Sequence, residues 1–541
     1  MDTTDKKKCW PLWLMPGIPG LLFLLAGMAL LPRPGLQHDE LFFYGPIHTP
    51  DSSFFDIQVF GTKLTCMVMS YSGALKTWLY ELLFLVLPRN RWTVRLPALL
   101  MGLATIQLTW VWVRRIAGDR AAAITTVLLA TDTLFLMTDL FDWGPVALQH
   151  LLLMGGLVAV QIWVASGSRR MLQLGCLLWG LGMWDKALMV WPLSSMALAA
   201  VCVFPRTALR KAREGLAVGL LWFAVGALPL IWYNVAMHGA TATSNTKYDA
   251  TGLQDKLPAL KRTVDGSMLS GYMVLNDSAP QPRRPRTGLE IVSVSLRRAI
   301  GDHRTNWMIP AYTAGFLLLL AMWRTEVRRP LLFLLITCAA MWLQMALNRG
   351  TGGSAHHVIL MWPFPVAFLG IVFDAAATRI PKQGPLLLAA VIGVLATQNM
   401  LTTNDYYARF VVNGSAGGWT DAIYPLESAL EEMPAAWIGV VDWGILNGLR
   451  LMEHKRFSMF MPDPNPADPT FQLQVAATDF LFVQHTDDKQ ILPGVNGKLR
   501  EAARKLGYGE KVLKVILDRN GRPVFEIFRF VPADGGAATQ Q

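Results

Sequence analysis

Long apolar runs follow one another through the first 400 residues of the chain, and polar residues are concentrated in the stretches between them. Many runs approach about 20 residues, the length that an α-helix needs to cross the hydrocarbon core of a bilayer. The pattern therefore predicts a polytopic α-helical membrane protein with about 11 spans. These lie at residues 10–31, 96–113, 121–138, 145–166, 171–184, 187–204, 215–237, 308–323, 330–347, 357–377 and 384–401.

The pattern changes after residue 401, where short apolar segments replace the long runs. Helical spacing over residues 419–433 predicts a helix, and residues 437–442 and 480–484 are typical of short strands. Residues 511–517 and 523–530 flank an Asn-Gly pair, which is a strong hairpin signal. The chain is therefore predicted to consist of a transmembrane domain (residues 1–401) and a C-terminal soluble α/β domain (residues 402–541).

Composition supports a membrane protein and excludes other classes. Hydrophobic residues make up 53% of the chain and charged residues 16%, whereas water-soluble proteins carry about 25% charged residues. A single soluble globule and a disordered chain are therefore excluded. The five cysteines form no Cys-x-x-Cys pair, so neither a disulfide framework nor a zinc site is inferred.

The positive charge of the chain follows its topology. If the N-terminal segment is cytoplasmic, the cytoplasmic stretches hold 17 basic and five acidic residues, an excess of 12, while the whole chain has a net charge of +11. This is the positive-inside pattern. It predicts a multi-pass protein of the cell membrane with a cytoplasmic N-terminus, retained as an anchor, and an extracytoplasmic C-terminal domain. Nucleic acid is not an expected partner.

Two adjacent acids, Asp39 and Glu40, follow the first span in an outer loop at residues 32–95. The apolar residues Leu41, Phe42 and Phe43 come next, so we expect an amphipathic helix on the membrane surface with the acids at its N-terminus, where the helix dipole keeps them ionised. An ionised carboxylate there could act as a general base toward an acceptor. A helix-end charge pair without chemistry is the alternative.

A second acidic group surrounds the outer turn at residues 139–144. Asp132, Asp139 and Asp142 are separated by offsets of 7 and 10, which would place them on one helical face. Acids close to or inside spans are costly unless they are solvated or paired, and such groups are functional candidates. The alternative is a polar cavity lining in which Asp142 only caps the next span.

Cationic candidates lie on the same side. Lys186 occupies a very short outer turn, where it suits a phosphate unless Asp185 merely neutralises it, and Arg349 precedes a Gly-rich segment that leads to His356 and His357. Adjacent histidines point apart on a helix, so a metal role has little support. No cofactor is certain, and a divalent cation is left open. Further positive charge comes from other residues of the first outer loop: Lys63, Lys76 and Arg95.

In order and sidedness these motifs resemble the GT-C-fold glycosyltransferases of family 39, which include the protein O-mannosyltransferases and the aminoarabinose transferases of lipid A. The resemblance rests on Asp39-Glu40, Arg95-Leu96-Pro97, Asp142 or Asp139, Lys186, and the stretch from His356-His357 to Pro363. The family's Pro-Pro-Leu turn is replaced here by a segment beginning Ser72-Gly73-Ala74.

The resemblance implies an inverting transfer of a sugar from a polyprenyl-phosphate-linked donor to a glycan, lipid or protein acceptor on the extracytoplasmic face. Asp39 is implied as the general base. The other implied site residues bind substrate, the acids through hydroxyl groups and the cations through the donor phosphate: Glu40, Asp139, Asp142, Lys186, Arg349, His356 and His357. Membrane lipid is a further expected partner.

Two alternative functions remain open at this stage. Acids and bases inside the membrane could form a substrate or proton path in a transporter or a flippase for lipid-linked sugars. Two related halves and broken helices would be typical of many transporters, and neither can be read from the sequence. An O-antigen polymerase or ligase would also use lipid-linked sugars, but it would depend more on outer-loop Arg and His residues than on an acidic pair.

Overall fold

The computed structural model describes residues 17–49, 53–245, 247–249, 252–276, 281–380, 382–452 and 457–533. Within these ranges the chain forms 23 α-helices and eight β-strands. The basic N-terminal segment and the start of the predicted first span lie outside the described residues.

The membrane part of the chain contains 19 of the described helices. As far as residue 245 they are α1 (Gly17–Leu30), α2 (Gly45–His48), α3 (Leu75–Phe84), α4 (Arg91–Ala117), α5 (Asp119–Thr131), α6 (Thr133–Leu140), α7 (Val146–Ser166), α8 (Arg169–Asp185), α9 (Val190–Val203), α10 (Pro205–Gly226), α11 (Leu228–Ala236) and α12 (Ala240–Asn245). The others are α13 (Leu253–Val264), α14 (Gly288–Ile300), α15 (Met308–Ala321), α16 (Arg328–Leu347), α17 (Ala355–Val358), α18 (Phe364–Ala377) and α19 (Gly384–Val412).

Each predicted span coincides with one helix or with consecutive helices. By length and composition, four described helices (α4, α7, α16 and α19) can each cross a membrane, and the number rises to seven if three bent pairs are counted as single spans. Shorter apolar helices, such as α1 and α15, match further predicted spans. The count of 11 crossings stays a prediction.

One bent pair changes the prediction for the acidic face. The helix breaks at Asp132, where α5 and α6 meet at an angle of 61°. Asp132 has an extended backbone and its side chain accepts a hydrogen bond from the N–H of Phe135, so it caps α6. A single helical face for Asp132, Asp139 and Asp142 is therefore wrong.

The first outer loop forms a small antiparallel sheet in the order β1 (Phe55–Val59), β2 (Thr62–Met69) and β3 (Ser72–Gly73). The expected helix after Glu40 is short, consisting of a 3₁₀ turn at Phe42–Tyr44 and α2. Its apolar residues Leu41, Phe43 and Tyr44 pack in a buried cluster that includes Leu451 of the C-terminal domain. The apolar side chains therefore pack against protein, and the expected position on the membrane surface stays a prediction.

The C-terminal region is α/β, as predicted. Its five-stranded sheet has the order β5-β4-β6-β8-β7, in which β5, β4 and β6 are parallel and β8 is antiparallel to both of its neighbours. The predicted hairpin is confirmed as β7 and β8. The elements are β4 (Trp437–Val440), β5 (Ser458–Phe460), β6 (Phe480–His485), β7 (Tyr508–Leu517), β8 (Pro523–Pro532), α20 (Ile423–Glu431), α21 (Leu446–Met452), α22 (Pro469–Ala476) and α23 (Val495–Lys505).

The hairpin turn joins this sheet to the membrane part. Asn520 Nδ2 donates to the carbonyl of Val412 over 2.9 Å, and Arg522 Nη2 donates to the carbonyl of Asn413 over 2.8 Å. Both acceptors lie at the end of α19, which continues past residue 401 to Val412. The predicted domain boundary thus falls inside a helix, whose last carbonyls are satisfied by the C-terminal domain.

Candidate functional site

A cavity of about 240 Å³, here called the Asp39 cavity, lies between the first outer loop, the turn before α7 and the connection from α8 to α9. Its polar lining brings together Asp39, Tyr71, Ser72, Lys76, Lys186 and His356. Three of these were predicted site residues: Asp39, Lys186 and His356. The sequence had placed them more than 300 residues apart at the extremes.

Asp39 lies in the turn between α1 and the 3₁₀ helix. Gln37 Oε1 accepts hydrogen bonds from the N–H groups of Asp39 and Glu40, at 2.6 and 3.0 Å, which fixes the turn. Burial raises the pKa of the Asp39 carboxyl above its ordinary value, against the opposing effects of Gln37 and Lys186. A carboxylate with a raised pKa is a better proton acceptor, as a general base requires.

Glu40 lies behind the turn and is fully buried. Its two carboxylate oxygens accept from Nε and Nη2 of Arg95 at 2.6 and 2.9 Å. Arg95 also donates to the carbonyls of Leu31 and Gly35, both at 2.7 Å. A direct contact between Glu40 and a substrate would require this ion pair to open.

Lys186 is positioned by the segment that replaces the family's Pro-Pro-Leu turn. Ser72 pairs with Lys186 in an antiparallel bridge, and the N–H of Ala187 donates to the carbonyl of Tyr71 over 2.9 Å. A Cβ on Gly73 would lie 2.1 Å from the carbonyl oxygen of Trp184, so only glycine permits this approach. The departure from the family pattern therefore has a structural role.

The Lys186 ammonium group is almost completely buried and donates to the carbonyl of Gly144 over 2.8 Å. Burial lowers its pKa to about 8, against the charges of Asp185 and Asp142, which favour the cation. Asp185 accepts a hydrogen bond from Gln149 Nε2 over 3.2 Å. The ammonium group therefore lines the cavity with the Gly144 carbonyl as its hydrogen-bond acceptor, and an entering anion would be a favourable second partner.

Lys76 and Asp142 form a buried ion pair at the wall of the cavity, with Nζ 2.7 Å from Oδ2. The other oxygen of Asp142 accepts from the N–H of Ala147 over 2.8 Å, so the carboxylate also caps the start of α7. Lys76 Nζ lies 4.6 Å from the centre of the Phe43 ring. The sequence had indicated Lys76 only as added positive charge.

Asp139 and Asp132 are buried behind the cavity. Asp139 Oδ1 lies 2.9 Å from Nδ1 of His150, and Nε2 of His150 lies 3.0 Å from the carbonyl of Ile359. Asp132 accepts from the indole N–H of Trp362 over 3.1 Å. Sequence analysis missed His150 because it lies inside an apolar run. Its partner Asp139 is 11 residues earlier, a separation that gives no periodic signal.

A second cavity of about 540 Å³, here called the Arg349 cavity, adjoins the first, since Tyr71 and His356 line both. Arg349, His357 and Lys247 also line it. Backbone hydrogen bonds join the two cationic segments, with the N–H of Arg349 donating to the carbonyl of Lys247 over 2.7 Å. The predicted cations therefore divide between two adjoining cavities, and Lys247 was not predicted.

The two histidines lie together, not apart. Their ring centres are 4.1 Å from each other, and Ser354 Oγ lies 3.2 Å from Nδ1 of His356 and 3.1 Å from Nδ1 of His357. Because α17 is only one turn long, the spacing argument for a regular helix failed here. The part of the chain that the structure describes contains no group of three or more His, Cys, Asp or Glu side chains that could hold a metal ion.

Residues 73–232 match the family model described as dolichyl-phosphate-mannose-protein mannosyltransferase. That segment contains Lys76, Arg95, Asp142 and Lys186 but not Asp39. No curated protein sequence matches the chain significantly.

Several solved structures are similar to the chain. ArnT from Cupriavidus metallidurans bound to undecaprenyl phosphate matches with a TM-score of 0.61 and 13% identity, covering 95% of this chain and 98% of that chain. Its apo state matches with a TM-score of 0.57, 13% identity and coverage of 94% and 98%. The Archaeoglobus fulgidus oligosaccharyltransferase in complex with Zn and sulfate matches with a TM-score of 0.50, 12% identity and coverage of 91% and 68%.

At these identities the structural matches show the fold. They extend over almost the whole chain, so the shared fold covers both the membrane part and the C-terminal region. The resemblance to GT-C glycosyltransferases that the sequence motifs indicated is therefore confirmed.

Proposed function

We propose that the protein is a membrane glycosyltransferase that moves a sugar from a polyprenyl-phosphate-linked donor to an acceptor on the extracytoplasmic face of the cell membrane. The observation that supports this best is that Asp39 and Lys186 line one cavity. A base and a phosphate-binding cation facing the same space are what this transfer requires. The N-terminus is then cytoplasmic, and the C-terminal sheet lies outside.

In the proposed reaction the acceptor oxygen or nitrogen attacks the anomeric carbon of the donor sugar. The bond from that carbon to the phosphate oxygen breaks, and the oxygen keeps the electron pair. Asp39 receives the proton of the acceptor. Lys186 stabilises the charge that develops on the leaving phosphate. Attack from the side opposite the phosphate inverts the anomeric centre.

The Arg349 cavity supplies the remaining donor contacts in this proposal. Arg349, His356 and His357 line it beside apolar residues such as Leu188 and Trp191. This combination suits a phosphate joined to an isoprenoid chain. Glu40, Asp139 and Asp142 act indirectly, since each is held by a basic partner: Arg95, His150 and Lys76 respectively.

The deciding experiment is native mass spectrometry of the purified full chain. The Asp39→Asn variant should retain sugar-bearing polyprenyl phosphate from the host membrane, because it binds the donor without turning it over. Wild-type protein should release free polyprenyl phosphate when an envelope extract is added as an acceptor source. Two results together would instead establish a flippase. Asp39→Asn would carry no polyprenyl-phosphate species, and wild type and variant would flip a fluorescent lipid-linked sugar equally well in liposomes.

A further inference from the structure

Aromatic side chains from four separate segments lie close to the Asp39 turn or to the wall of its cavity. They come from the turn before α7, the loop between α13 and α14, the segment after α19 and the end of β4: Trp143, Tyr272, Trp419 and Trp443. The proposed mechanism uses none of them. Their convergence needs a reason beyond core packing, because two of the rings remain accessible to solvent.

Tyr272 lies on a buried support. Its ring is stacked on Trp143, with the centres 5.0 Å apart and the planes within 17° of each other. Trp143 lines the Asp39 cavity and is only 6% exposed, whereas Tyr272 is 46% exposed. One face of the Tyr272 ring is therefore covered by a residue of the cavity wall, while about half of Tyr272 remains accessible to solvent.

Trp443 contacts the residue that precedes Asp39 in the chain, with its ring centre 5.2 Å from that of His38. The turn that carries it is fixed by Asp442, whose carboxylate accepts from the N–H of Trp443 and of Ile491, both at 2.8 Å. The second Asp442 oxygen also lies 2.7 Å from Nδ1 of His485. The half-buried Trp443 ring is thus held in a defined position, as a binding residue should be.

Aromatic faces beside a carboxylate favour one class of acceptor. The C–H faces of a sugar ring pack on aromatic rings, and its hydroxyl groups donate to a carboxylate. Burial, with a smaller contribution from the Asp39 charge, raises the pKa of Tyr272 to about 12, so its phenol remains a hydrogen-bond donor at neutral pH. An extended peptide would instead need a row of free backbone partners.

We propose that Tyr272 and Trp443 form the acceptor site, and that the acceptor carries its reactive hydroxyl or amine on a saccharide. The sugar ring packs on the open face of Tyr272, and its nucleophile reaches Asp39. This inference rests on the proposed function only in taking Asp39 as the reaction centre.

The test is saturation-transfer NMR on the detergent-solubilised full chain, without any donor lipid. The probes are methyl glycosides of glucose, galactose, mannose and N-acetylglucosamine, with a threonine-containing tripeptide as the competing class. At least one glycoside should receive saturation from wild type. The signal should fall several-fold in Tyr272→Ala and in Trp443→Ala and return in Tyr272→Phe.

Tyr248→Ala is the matched control, since Tyr248 is an outer-loop tyrosine that is 82% exposed and pairs with Asn348, whereas Tyr272 stacks on Trp143. Thermal unfolding identifies variants that are not folded, and Tyr272→Leu then replaces Tyr272→Ala. Equal glycoside signals in wild type and the Tyr272 variants, or binding of the tripeptide alone, would overturn the inference. Retained polyprenyl phosphate on Asp39→Asn would leave the proposed function standing in that case.

Discussion

Arg95 donates hydrogen bonds to both carboxylate oxygens of Glu40, and neither side chain is exposed to solvent. The remaining N–H groups of Arg95 are directed at the backbone of residues 31–35, the segment that leads into the Asp39 turn. The two residues belong to motifs that lie 55 positions apart in the sequence. Their pairing explains why both motifs occur together. Arg95 holds the turn in place through Glu40 and the backbone, and this turn carries Asp39, the proposed base.

Replacing Glu40 by glutamine should therefore act on stability first. Removing one partner of a buried ion pair leaves the other charge uncompensated, which typically costs about 3–5 kcal/mol. Denaturant unfolding in detergent should show a loss of this size for Glu40→Gln. The double variant Glu40→Gln/Arg95→Gln should lose less than the two single variants together. Wild-type stability in Glu40→Gln would show that the pair does not hold the turn.

Replacing Asp39 by asparagine should act on the chemical step. Asparagine keeps the size and polarity of the side chain but cannot accept the proton, and general bases typically contribute about 10²–10⁴-fold to rate. Turnover of the lipid-linked donor should fall by that factor, while donor affinity stays within about twofold. Asp56→Asn, in β1 of the same outer loop, is the matched control and should retain full turnover. Near-normal transfer by Asp39→Asn would exclude it as the base.

The membrane pattern of this chain could be predicted because a bilayer imposes a simple length rule. Within the described residues every predicted span matches a helix or consecutive helices, and the hairpin at Asn520-Gly521 was also found. The break at Asp132 could not be predicted from periodicity, since spacing arguments assume an unbroken helix. The prediction that the two histidines point apart failed for the same reason, because it assumed a regular helix and α17 is a single turn.

Part of the site could be predicted from the order of the loops. Asp39, Lys186 and His356 line one cavity, as expected if the loops that carry them share one face of the membrane. The partners that hold the predicted acids, His150 and Lys76, depend on tertiary contacts that no local pattern encodes.

Lys186 should govern donor affinity. A hydrogen bond from a charged group contributes about 1.5–3 kcal/mol, so Lys186→Met should weaken binding of the polyprenyl-phosphate donor by about 10- to 150-fold. Lys63→Met is the matched control, because Lys63 lies in the same outer region but pairs with Asp56 over 3.1 Å and lines neither cavity. Binding can be measured by titrating donor into protein in nanodiscs. Equal affinity in Lys186→Met and wild type would assign Lys186 to the fold alone.

The topology can be tested with two cysteine variants. Asn465 is exposed in the C-terminal domain, and Ser166 is exposed beside the predicted cytoplasmic turn at residues 167–170. A membrane-impermeant maleimide should label Asn465→Cys in intact cells and Ser166→Cys only after the membrane is opened. The reverse pattern would place Asp39 on the cytoplasmic side and remove the basis of the proposed donor chemistry.

The pH dependence should report both charged groups of the Asp39 cavity. As pH falls through the raised pKa of Asp39, the base becomes protonated and kcat/KM declines. As pH rises through about 8, Lys186 loses its proton and with it the phosphate contact, so kcat/KM declines again. The profile of the free enzyme should therefore be bell-shaped. Lys186→Arg should move the alkaline limb beyond the measurable range, because arginine stays protonated. An alkaline limb that stays near pH 8 in Lys186→Arg would mean that another group titrates there.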